Sequence, residues 1–421
     1  MRSSRLSWKR PRRSILIMGL LATRMLAQNT YTWQQIKERF EATNPTLRAD
    51  RIGIDEAKTQ EVTAYLRPNP DFTSSLDQIQ PFNGNPYRPF GFALPLFAVN
   101  YMRERQNKRE LRLESARKAT GIAISQLADQ ERNLLFNLRN AFVQALQAKA
   151  VLALATDNLA YYDRLLAVND DRLKAGDIAQ IDLDRLELQR VQYESDIQTA
   201  QTNVRTAKIQ LLMLLNESTP VEQFDVTGPF DFTEPLTTLE ELRNQAMANR
   251  PDLLAASQSV DKAKTDYRLA IANGSTDPTF GVDVGRNPPI PAYVGFSVSI
   301  PIRIHDRNQG EKARTQLEIS RSQRLQDAAR AQVLNDVDSA WATLISARAL
   351  LLPYKSKYLQ LAAKVRETVS FAYQHGGSSL LEFLNAQSDY RTVQLNYLNL
   401  VGSFLTAASQ LNLAVGREVM P

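Results

Sequence analysis

Cysteine is absent from the sequence, and histidine occurs only as His305 and His375 in 421 residues. Without cysteine the chain has no disulfide, no thiolate metal ligand, no cysteine nucleophile and no lipidated N-terminal cysteine. Two isolated histidines offer little to a zinc ion, so we predict no metal site and no cofactor. The sequence also lacks a glycine-rich phosphate loop, a zinc signature and a nucleophile elbow, which disfavours an enzyme.

Excess positive charge is also absent once the first residues are set aside. Residues 1–27 hold seven of the 51 lysines and arginines and no acid, which leaves 44 basic against 45 acidic residues, a net charge of −1. This balance does not indicate a nucleic-acid partner. The basic leader precedes an apolar stretch, residues 15–22, which is the pattern of a secretory signal. We predict a signal peptide over residues 1–27, with a basic tail as the alternative.

Proline and glycine are scarce in the first half of the chain. No proline lies between Pro95 and Pro220, and that interval contains only two glycines, Gly121 and Gly176. The sequence therefore predicts two long helices, residues 98–173 and 178–215, separated at Gly176. At ~1.5 Å per residue the first would be on the order of 110 Å long, more than a single globular core needs.

Apolar residues in these helices recur every 3.5 residues. One series runs from Leu134 to Leu166 and a second from Leu183 to Leu214, in which Arg190 is the one residue of the wrong type. Further series of this kind occur in the C-terminal half. A sustained heptad pattern indicates left-handed coiled-coil packing, which the helix lengths favour over an ordinary helical bundle.

Two features distinguish the C-terminal helices. Pro353 should kink or locally break the third long helix, because proline removes a helical hydrogen bond. Residues 392–416 carry no charge but contain five amide side chains, which are costly in hydrocarbon. We therefore expect a buried helix here and not a transmembrane one.

The two halves of the chain resemble each other in sequence. Nine of the 23 residues that start at Ala42 recur after a shift of 206, and a shift of 200 places Gly176 on Gly376. Such self-similarity indicates an internal duplication. We predict a first repeat over residues 28–220 and a second over residues 221–421.

Four short segments alternate apolar and polar residues with period two, the pattern of strands with one apolar face. They flank two turn-rich stretches, which predicts hairpins over residues 69–97 and 277–302. Strands of ~10 residues are long enough to cross a bilayer when tilted. The residues predicted to face lipid are Phe90, Phe92, Leu94, Phe280, Val282, Val294, Phe296 and Val298.

A sheet of four strands has two open edges, which hydrocarbon does not tolerate. Other chains must then close it: two copies would give eight strands filled by side chains, and three would give twelve and a lumen. The alternative is a soluble sheet that caps a helical rod. We predict a mainly α protein with a small β part, in which long coiled-coil helices accompany four strands per chain, and two or three copies of the chain close the sheet into a barrel.

The sequence resembles the TolC-like outer-membrane efflux proteins over nearly all of the mature chain. The resemblance lies in the duplication, in Arg67-Pro68-Asn69-Pro70, in the segment from Ile300 to Gly310, and in Tyr373-Gln374-His375-Gly376 followed by residues 380–387. The segment Asp306-Arg307-Asn308-Gln309-Gly310 is most similar to the heavy-metal branch, which serves cobalt–zinc–cadmium exporters.

This resemblance implies a homotrimer in the outer membrane of a Gram-negative-type bacterium, with a long periplasmic extension. The long coiled-coil helices would form an α-helical barrel, and the four strands per chain would contribute to a trimeric 12-stranded β-barrel. Such a trimer is a passive exit duct for drugs or metal cations, and it works with a periplasmic adaptor protein and an inner-membrane efflux pump. The two helix–glycine–helix turns would form the periplasmic tip where the adaptor docks. The docking residues are then Gly176, Asp177, Gly376, Gly377 and Ser378.

The resemblance also implies a constriction near the tip. Tyr373 matches a tyrosine of the family's gate and Asp182 matches its aspartate partner, while Glu382 and Asn385 correspond to two inward-facing aspartates. Ser378 stands where the family has an arginine, so that salt bridge is missing here. Three copies of Glu382 would form a carboxylate ring that attracts cations. The alternatives are a solvated helix face for Glu382 and plain packing for Tyr373.

A periplasmic adaptor, or another structural coiled-coil protein, is the competing interpretation. Adaptors carry one helical hairpin within small β domains, whereas this chain has two equivalent hairpins and almost no β sequence beyond four strands. The sequence therefore favours the outer-membrane channel-tunnel, with outer-membrane lipid around its strands.

Overall fold

A computed structural model of the protein describes residues 29–82, 86–232, 237–287 and 289–420. The predicted signal peptide lies outside these ranges, as do residues 83–85 of the first hairpin turn and residue 288 of the second. The described part is mainly helical with a small β part, as predicted from the sequence.

The first half begins with a short strand and ends with two long helices. Its elements in chain order are β1 (Asn29–Tyr31), α1 (Trp33–Thr43), α2 (Pro45–Tyr65), β2 (Asp71–Asp77), β3 (Leu94–Met102), α3 (Lys108–Ala175) and α4 (Gln180–Leu214).

The second half repeats this order, with one long helix interrupted. Its elements are β4 (Phe224–Val226), α5 (Leu239–Asn249), α6 (Pro251–Asn273), β5 (Thr279–Asn287), β6 (Ile290–Ser299), α7 (Gln309–Pro353), α8 (Leu359–Gln374) and α9 (Leu380–Val415). A π-helical turn, Tyr354–Tyr358, separates α7 from α8. The predicted break at Pro353 is therefore confirmed.

The start of the first long helix was predicted too early. Residues 98–102 continue β3, so α3 begins at Lys108 and not at residue 98. Gln106 and Asn107 have φ values of 59° and 53°, a left-handed backbone that turns the chain between strand and helix. The alternation of inward and outward side chains over residues 98–102 is the sequence feature that could have predicted this longer strand.

The long helices pack beside pairs of shorter ones. Helix α3 contacts α4 along one part and α2 and α6 along another, and α7 contacts α5, α6 and α9. The predicted seams are buried: Leu138, Leu186 and Val337 are fully inaccessible to solvent. Arg190, the exception in its seam, pairs with Asp163 of α3 at 2.6 Å, so the charge remains at the rim of the contact.

Helix α9 is long and apolar enough to cross a membrane by length and composition. Its apolar residues nevertheless face the protein, since Val401, Phe404 and Leu411 are almost completely buried in a cluster with α5 and α7. The expectation of a buried helix is confirmed for these residues.

A two-stranded parallel sheet joins the two halves. Strand β1 pairs with β4, so that Tyr31 lies opposite Val226. Beneath it, Asp225 accepts a hydrogen bond from the ammonium group of Lys149 of α3 at 2.7 Å and forms an ion pair with Lys208 of α4 at 3.0 Å. Burial opposes ionisation of Asp225, but the two lysines outweigh it and lower the pKa of its carboxyl group.

Candidate functional site

The four longer strands form one antiparallel sheet in the order β2-β3-β5-β6. The outer strands β2 and β6 each have one edge without a partner in the described chain. Exposed edges of this kind are open to pairing with another chain.

One face of the sheet is apolar. Phe72, Val99, Val282 and Phe296 lie in one row across the four strands, and Phe97, Val284 and Val294 lie in the next. Six of these seven side chains are 47–69 % exposed, and the ring of Phe296 is 82 % exposed. An exposed apolar face on a sheet without its own cover fits contact with hydrocarbon.

The prediction for the first hairpin was partly wrong. Phe90 and Phe92 lie in the turn before β3 and not on a strand, and Leu94 starts β3 on the face opposite Val99. The sequence alternates from Phe90 to Leu96, but the hydrogen-bonded register follows the next alternating set, in which Phe97 and Val99 share one face. Phe280, Val282, Val294, Phe296 and Val298 do share the apolar face.

The opposite face carries polar and small residues at its centre, with Leu94, Leu96 and Tyr293 nearer the hairpin turns. It contains Asn100 on β3, Asp283 on β5 and Ser297 on β6. Gly295 makes room for its neighbour, because a Cβ atom there would lie 2.6 Å from the Asp283 carboxylate. A sheet with one apolar and one polar face has the pattern of a membrane barrel wall that borders water on the inside.

At the far end of the long helices, each helical hairpin turns at a glycine. We call α3 with α4 the first helical hairpin and α8 with α9 the second. Gly176 and Gly376 have φ values of 85° and 75°, which only glycine adopts at little cost. The amide of Asp177 donates to the carbonyl of Arg172 at 2.9 Å, and that of Gly377 donates to the carbonyl of Ala372 at 2.7 Å. These bonds satisfy the last carbonyl groups of α3 and α8.

Tyr373 lies at the contact between the two helical hairpins. Its ring is buried and stacks on Phe383 at 4.9 Å, in a cluster that includes Tyr162 of α3 and Leu186 of α4. The Arg172 guanidinium lies 5.3 Å from the ring centre. The buried hydroxyl of Tyr373 has no hydrogen-bond partner in the described part of the chain. Burial raises the pKa of Tyr373, Arg172 opposes this, and the negative charge of Asp182 adds to the rise.

Asp182 is near enough to act on the Tyr373 hydroxyl through charge but does not bond to it. Its carboxylate instead lies 3.9 Å from Arg185, one turn later in α4. The structure therefore shows an electrostatic influence of Asp182 on Tyr373 but no hydrogen bond between this predicted pair.

Glu382 and Asn385 are exposed on the first turns of α9. Glu382 is not a free side chain, because its Oε2 accepts hydrogen bonds from the Ser379 amide at 2.8 Å and the Ser378 hydroxyl at 2.7 Å. The Glu382 amide donates in turn to the Ser379 hydroxyl. The backbone bond from Ser379 is the main reason why the pKa of Glu382 is lowered. The spacing Ser379-x-x-Glu382 is the signature of a capping box, which was visible in the sequence.

Polar contacts above the tip join the two helical hairpins and were not predicted. The Tyr161 hydroxyl lies 3.1 Å from the Ser370 hydroxyl, to which the buried Gln387 also donates at 3.1 Å. Arg391 of α9 pairs with Asp196 of α4 at 2.8 Å. Gln387 occupies a seam position of the heptad pattern. An amide at such a position is the sequence feature that could have predicted a buried polar contact here.

Metal binding has no support from side-chain clusters. In residues 29–82, 86–232, 237–287 and 289–420, no group of three or more His, Cys, Asp or Glu residues could hold a metal ion.

A sheet with an apolar and a polar face, open at both edges and attached to helices of up to 68 residues, defines a subunit of a channel in a membrane. The chain matches the model of the outer membrane efflux protein family over residues 242–417. It is an outer-membrane efflux channel.

Two curated relatives support this assignment. The cobalt-zinc-cadmium resistance protein CzcC of Cupriavidus metallidurans is 24% identical over 326 residues, which are 76% of each chain. The outer membrane efflux protein BepC of Brucella suis is 24% identical over 305 residues, 69% of this chain and 65% of that protein.

Solved structures show the same fold over almost the whole chain. CusC aligns with a TM-score of 0.75 and 18% identity, covering 91% of this chain and 92% of its own. The outer membrane channel MtrE of Neisseria gonorrhoeae, in its open state, aligns with a TM-score of 0.74 and 18% identity, covering 92% and 89%.

Proposed function

We propose that three copies of the chain close into one passive exit duct from the periplasm to the exterior. Each copy supplies four strands to a twelve-stranded barrel in the outer membrane, and its long helices extend into the periplasm as a tunnel. An inner-membrane pump and a periplasmic adaptor provide the energy and select the cargo.

One observation carries this proposal. The four-stranded sheet has an apolar face exposed to the outside and unpaired edges at β2 and β6. Hydrocarbon leaves no water to bond to free backbone groups, so both edges must pair. Four strands are too few to enclose a lumen, eight are filled by their own side chains, and twelve leave a passage. Three copies therefore satisfy both the edges and the polar inner face.

The gate lies where the two helical hairpins meet. Tyr373 and Phe383 pack the second hairpin against the first, and the buried Tyr373 hydroxyl has no hydrogen-bond partner in the described part of the chain. Around a threefold axis, Glu382 and Asn385 project from the first turns of α9 towards the passage. The exposed residues Gly176, Asp177, Gly376 and Gly377, with the half-buried Ser378, form the adaptor-docking turns.

The cargo class that we assign is divalent metal cations. The named resistance of CzcC to cobalt, zinc and cadmium supports it. The duct does not need a metal site for this cargo, because the ions pass through without being held. Acidic side chains such as Asp283 on the polar face of the sheet favour cations electrostatically.

Cross-linking tests the closure of the barrel, and the cysteine-free chain makes it clean. Thr73→Cys on β2 combined with Ser297→Cys or Ser299→Cys on β6 places thiols on the polar face of the two free edges. Oxidation should give dimers and trimers but no larger product, because a closed ring ends at three. Neighbouring strands place paired residues at ~4.5–5.5 Å, within the range of a disulfide.

The matched control is Ala98→Cys with Asp283→Cys, which lie opposite each other on β3 and β5 of one chain. This pair should form a disulfide within the monomer. A control pair that oxidises while every edge pair remains monomeric would disprove the three-chain barrel.

A further inference from the structure

A cleft of about 840 Å³ lies where the sheet joins the helical body, between the end of β3 and the start of α3. Basic side chains dominate its wall, and two aromatic rings of the apolar face complete it. The residues that matter here are Arg67, Arg103, Arg105, Arg109, Tyr101 and Phe280.

The acidic groups around this cleft are already neutralised. Asp277 pairs with the buried Lys108 at 2.5 Å, Glu110 with Arg109 at 2.9 Å, and Glu104 with Arg112, whose Nη2 lies 2.9 Å from Oε2. None of these carboxylates is left to balance a further cation.

Three arginines remain without a counter-charge. The side chains of Arg67, Arg103 and Arg105 are exposed and make no ion pair or hydrogen bond to any of the residues that the structure describes. The positive end of the α3 dipole, at Lys108, lies beside them. The cleft thus holds three uncompensated positive charges at one place, which favours an anionic ligand.

The two aromatic rings connect the cleft to the apolar face of the sheet. Tyr101 lies opposite Phe280, and Phe280 lies opposite Val298, so both rings belong to the apolar face of the sheet. The cleft is therefore continuous with the surface that meets hydrocarbon, at its periplasmic boundary. Aromatic and basic residues are enriched at such boundaries, where headgroups lie.

We propose that this cleft is a binding site for an anionic phospholipid of the periplasmic leaflet, one per chain. The phosphate group bonds to Arg67, Arg103 and Arg105, because guanidinium groups match phosphate oxygens in pairs. An acyl chain lies along Tyr101 and Phe280. A free phosphate ion satisfies the arginines but leaves the rings unused, so the lipid is the ligand that fits the whole cleft. The site rests on the membrane insertion of the sheet and would fix its depth at the helical junction.

Native mass spectrometry of the detergent-solubilised full chain tests this site, with phosphatidylglycerol as the probe. The variant Arg67→Gln/Arg103→Gln/Arg105→Gln should bind it on the order of 100-fold more weakly, since each basic residue at an anionic lipid surface contributes severalfold. The control Arg321→Gln/Arg324→Gln/Arg330→Gln removes the same charge from exposed positions of α7 and should bind as the unaltered chain does.

Phosphatidylcholine and inorganic phosphate distinguish the source of the anion. Phosphatidylcholine should bind weakly, and millimolar phosphate should not displace phosphatidylglycerol. Equal phosphatidylglycerol binding by the triple variant and the control would overturn the site, and displacement by phosphate would overturn the lipid. If the triple variant fails to fold, Arg67→Gln alone, in the linker between α2 and β2, should still weaken binding about fivefold. One spectrum counts both chains and lipids, so failure of the trimer and failure of the lipid site are separate results.

Discussion

The two helical hairpins follow one plan but hold their turns differently. Both end a helix with a left-handed glycine, Gly176 or Gly376. After that, α4 begins at Gln180 and its N-cap residue, Ala179, provides no side-chain cap, whereas the start of α9 is held by the capping box of Ser379 and Glu382. Charged pairs surround the first turn, such as Lys174 with Asp170 at 2.6 Å, whereas the second turn, residues 375–381, contains no acidic residue, lysine or arginine.

The helices that lead to these turns differ as well. The first turn follows α3, which is continuous for 68 residues, and the second follows α8, which is separated from α7 by the π-helical turn at Tyr354–Tyr358. Duplication thus kept the backbone plan while the local interactions diverged. We infer that the second helical hairpin is the one whose position depends on its own cap and on contacts with the first.

Removal of the buried ring between the hairpins should have the largest effect. Phe383→Ala leaves a cavity beneath Tyr373, at a cost of ~3–5 kcal/mol, and the equivalent Leu183→Ala in the first hairpin should cost ~2–5 kcal/mol. Because Phe383 is fully buried and Leu183 is 7 % exposed, we expect the larger loss at Phe383. Hydrogen exchange at the first turns of α9 and α4 measures each loss, and equal losses would contradict the proposed difference.

Removal of single ion pairs should show whether contacts between the two hairpins affect the channel more than contacts within one hairpin. Arg391→Gln removes the pair with Asp196 that joins α9 to α4, and Arg190→Gln removes the pair with Asp163 inside the first hairpin. Arg391→Gln should cost about 1 kcal/mol or less, as partly exposed pairs do, and Arg190→Gln should destabilise the first hairpin only weakly. Only Arg391→Gln should raise the open time of the reconstituted channel. Equal conductance changes in both variants would argue against a latch between the hairpins.

Exchange of the caps should make the two turns alike. Ser379→Ala should destabilise the start of α9 by ~1 kcal/mol, and Ala179→Ser should stabilise the start of α4 by a similar amount, since Asp182 occupies the position of Glu382. Amide exchange rates of the two first turns report both changes. A stabilised α4 with an unchanged α9 would show that the capping box does not hold the second turn.

Acid should weaken the capping box at the start of α9, and we expect this to be the smallest of the four effects on stability. The pKa of Glu382 is lowered in the folded chain, so its contribution is complete above the unfolded pKa, ~4.3, and is lost as the pH falls through the lower folded value. Exchange at the start of α9 should therefore accelerate in acid. Glu382→Gln keeps a capping side chain without the charge, so amide exchange at the start of α9 should lack this pH dependence in the variant. If the pH dependence is unchanged, a group other than Glu382 causes it.

Much of this architecture was predictable from local patterns. The heptads of α3 and α4, the glycine turns and the break at Pro353 each follow from spacing along the chain, because helix periodicity and backbone freedom are local properties. The positions of Tyr373 and Asp182 near each other were predictable only from the family resemblance, since 191 residues separate them in the sequence.

Other features depended on pairing that the sequence does not show. Phe90 and Phe92 alternate as strand residues do, yet β3 begins after them, because register with β2 and β5 decides which residues enter the sheet. The links of Tyr161 with Ser370 and of Arg391 with Asp196 likewise join residues of different helices.

The sequence by itself determined which segments are helices and strands, where they turn and that the plan occurs twice, since each of these depends on neighbours within a few residues. The tertiary structure decided which face of the sheet is apolar throughout, which carboxylates are neutralised and which arginines remain free beside Tyr101 and Phe280. These depend on residues brought together from distant parts of the chain, and a linear pattern does not record such distances.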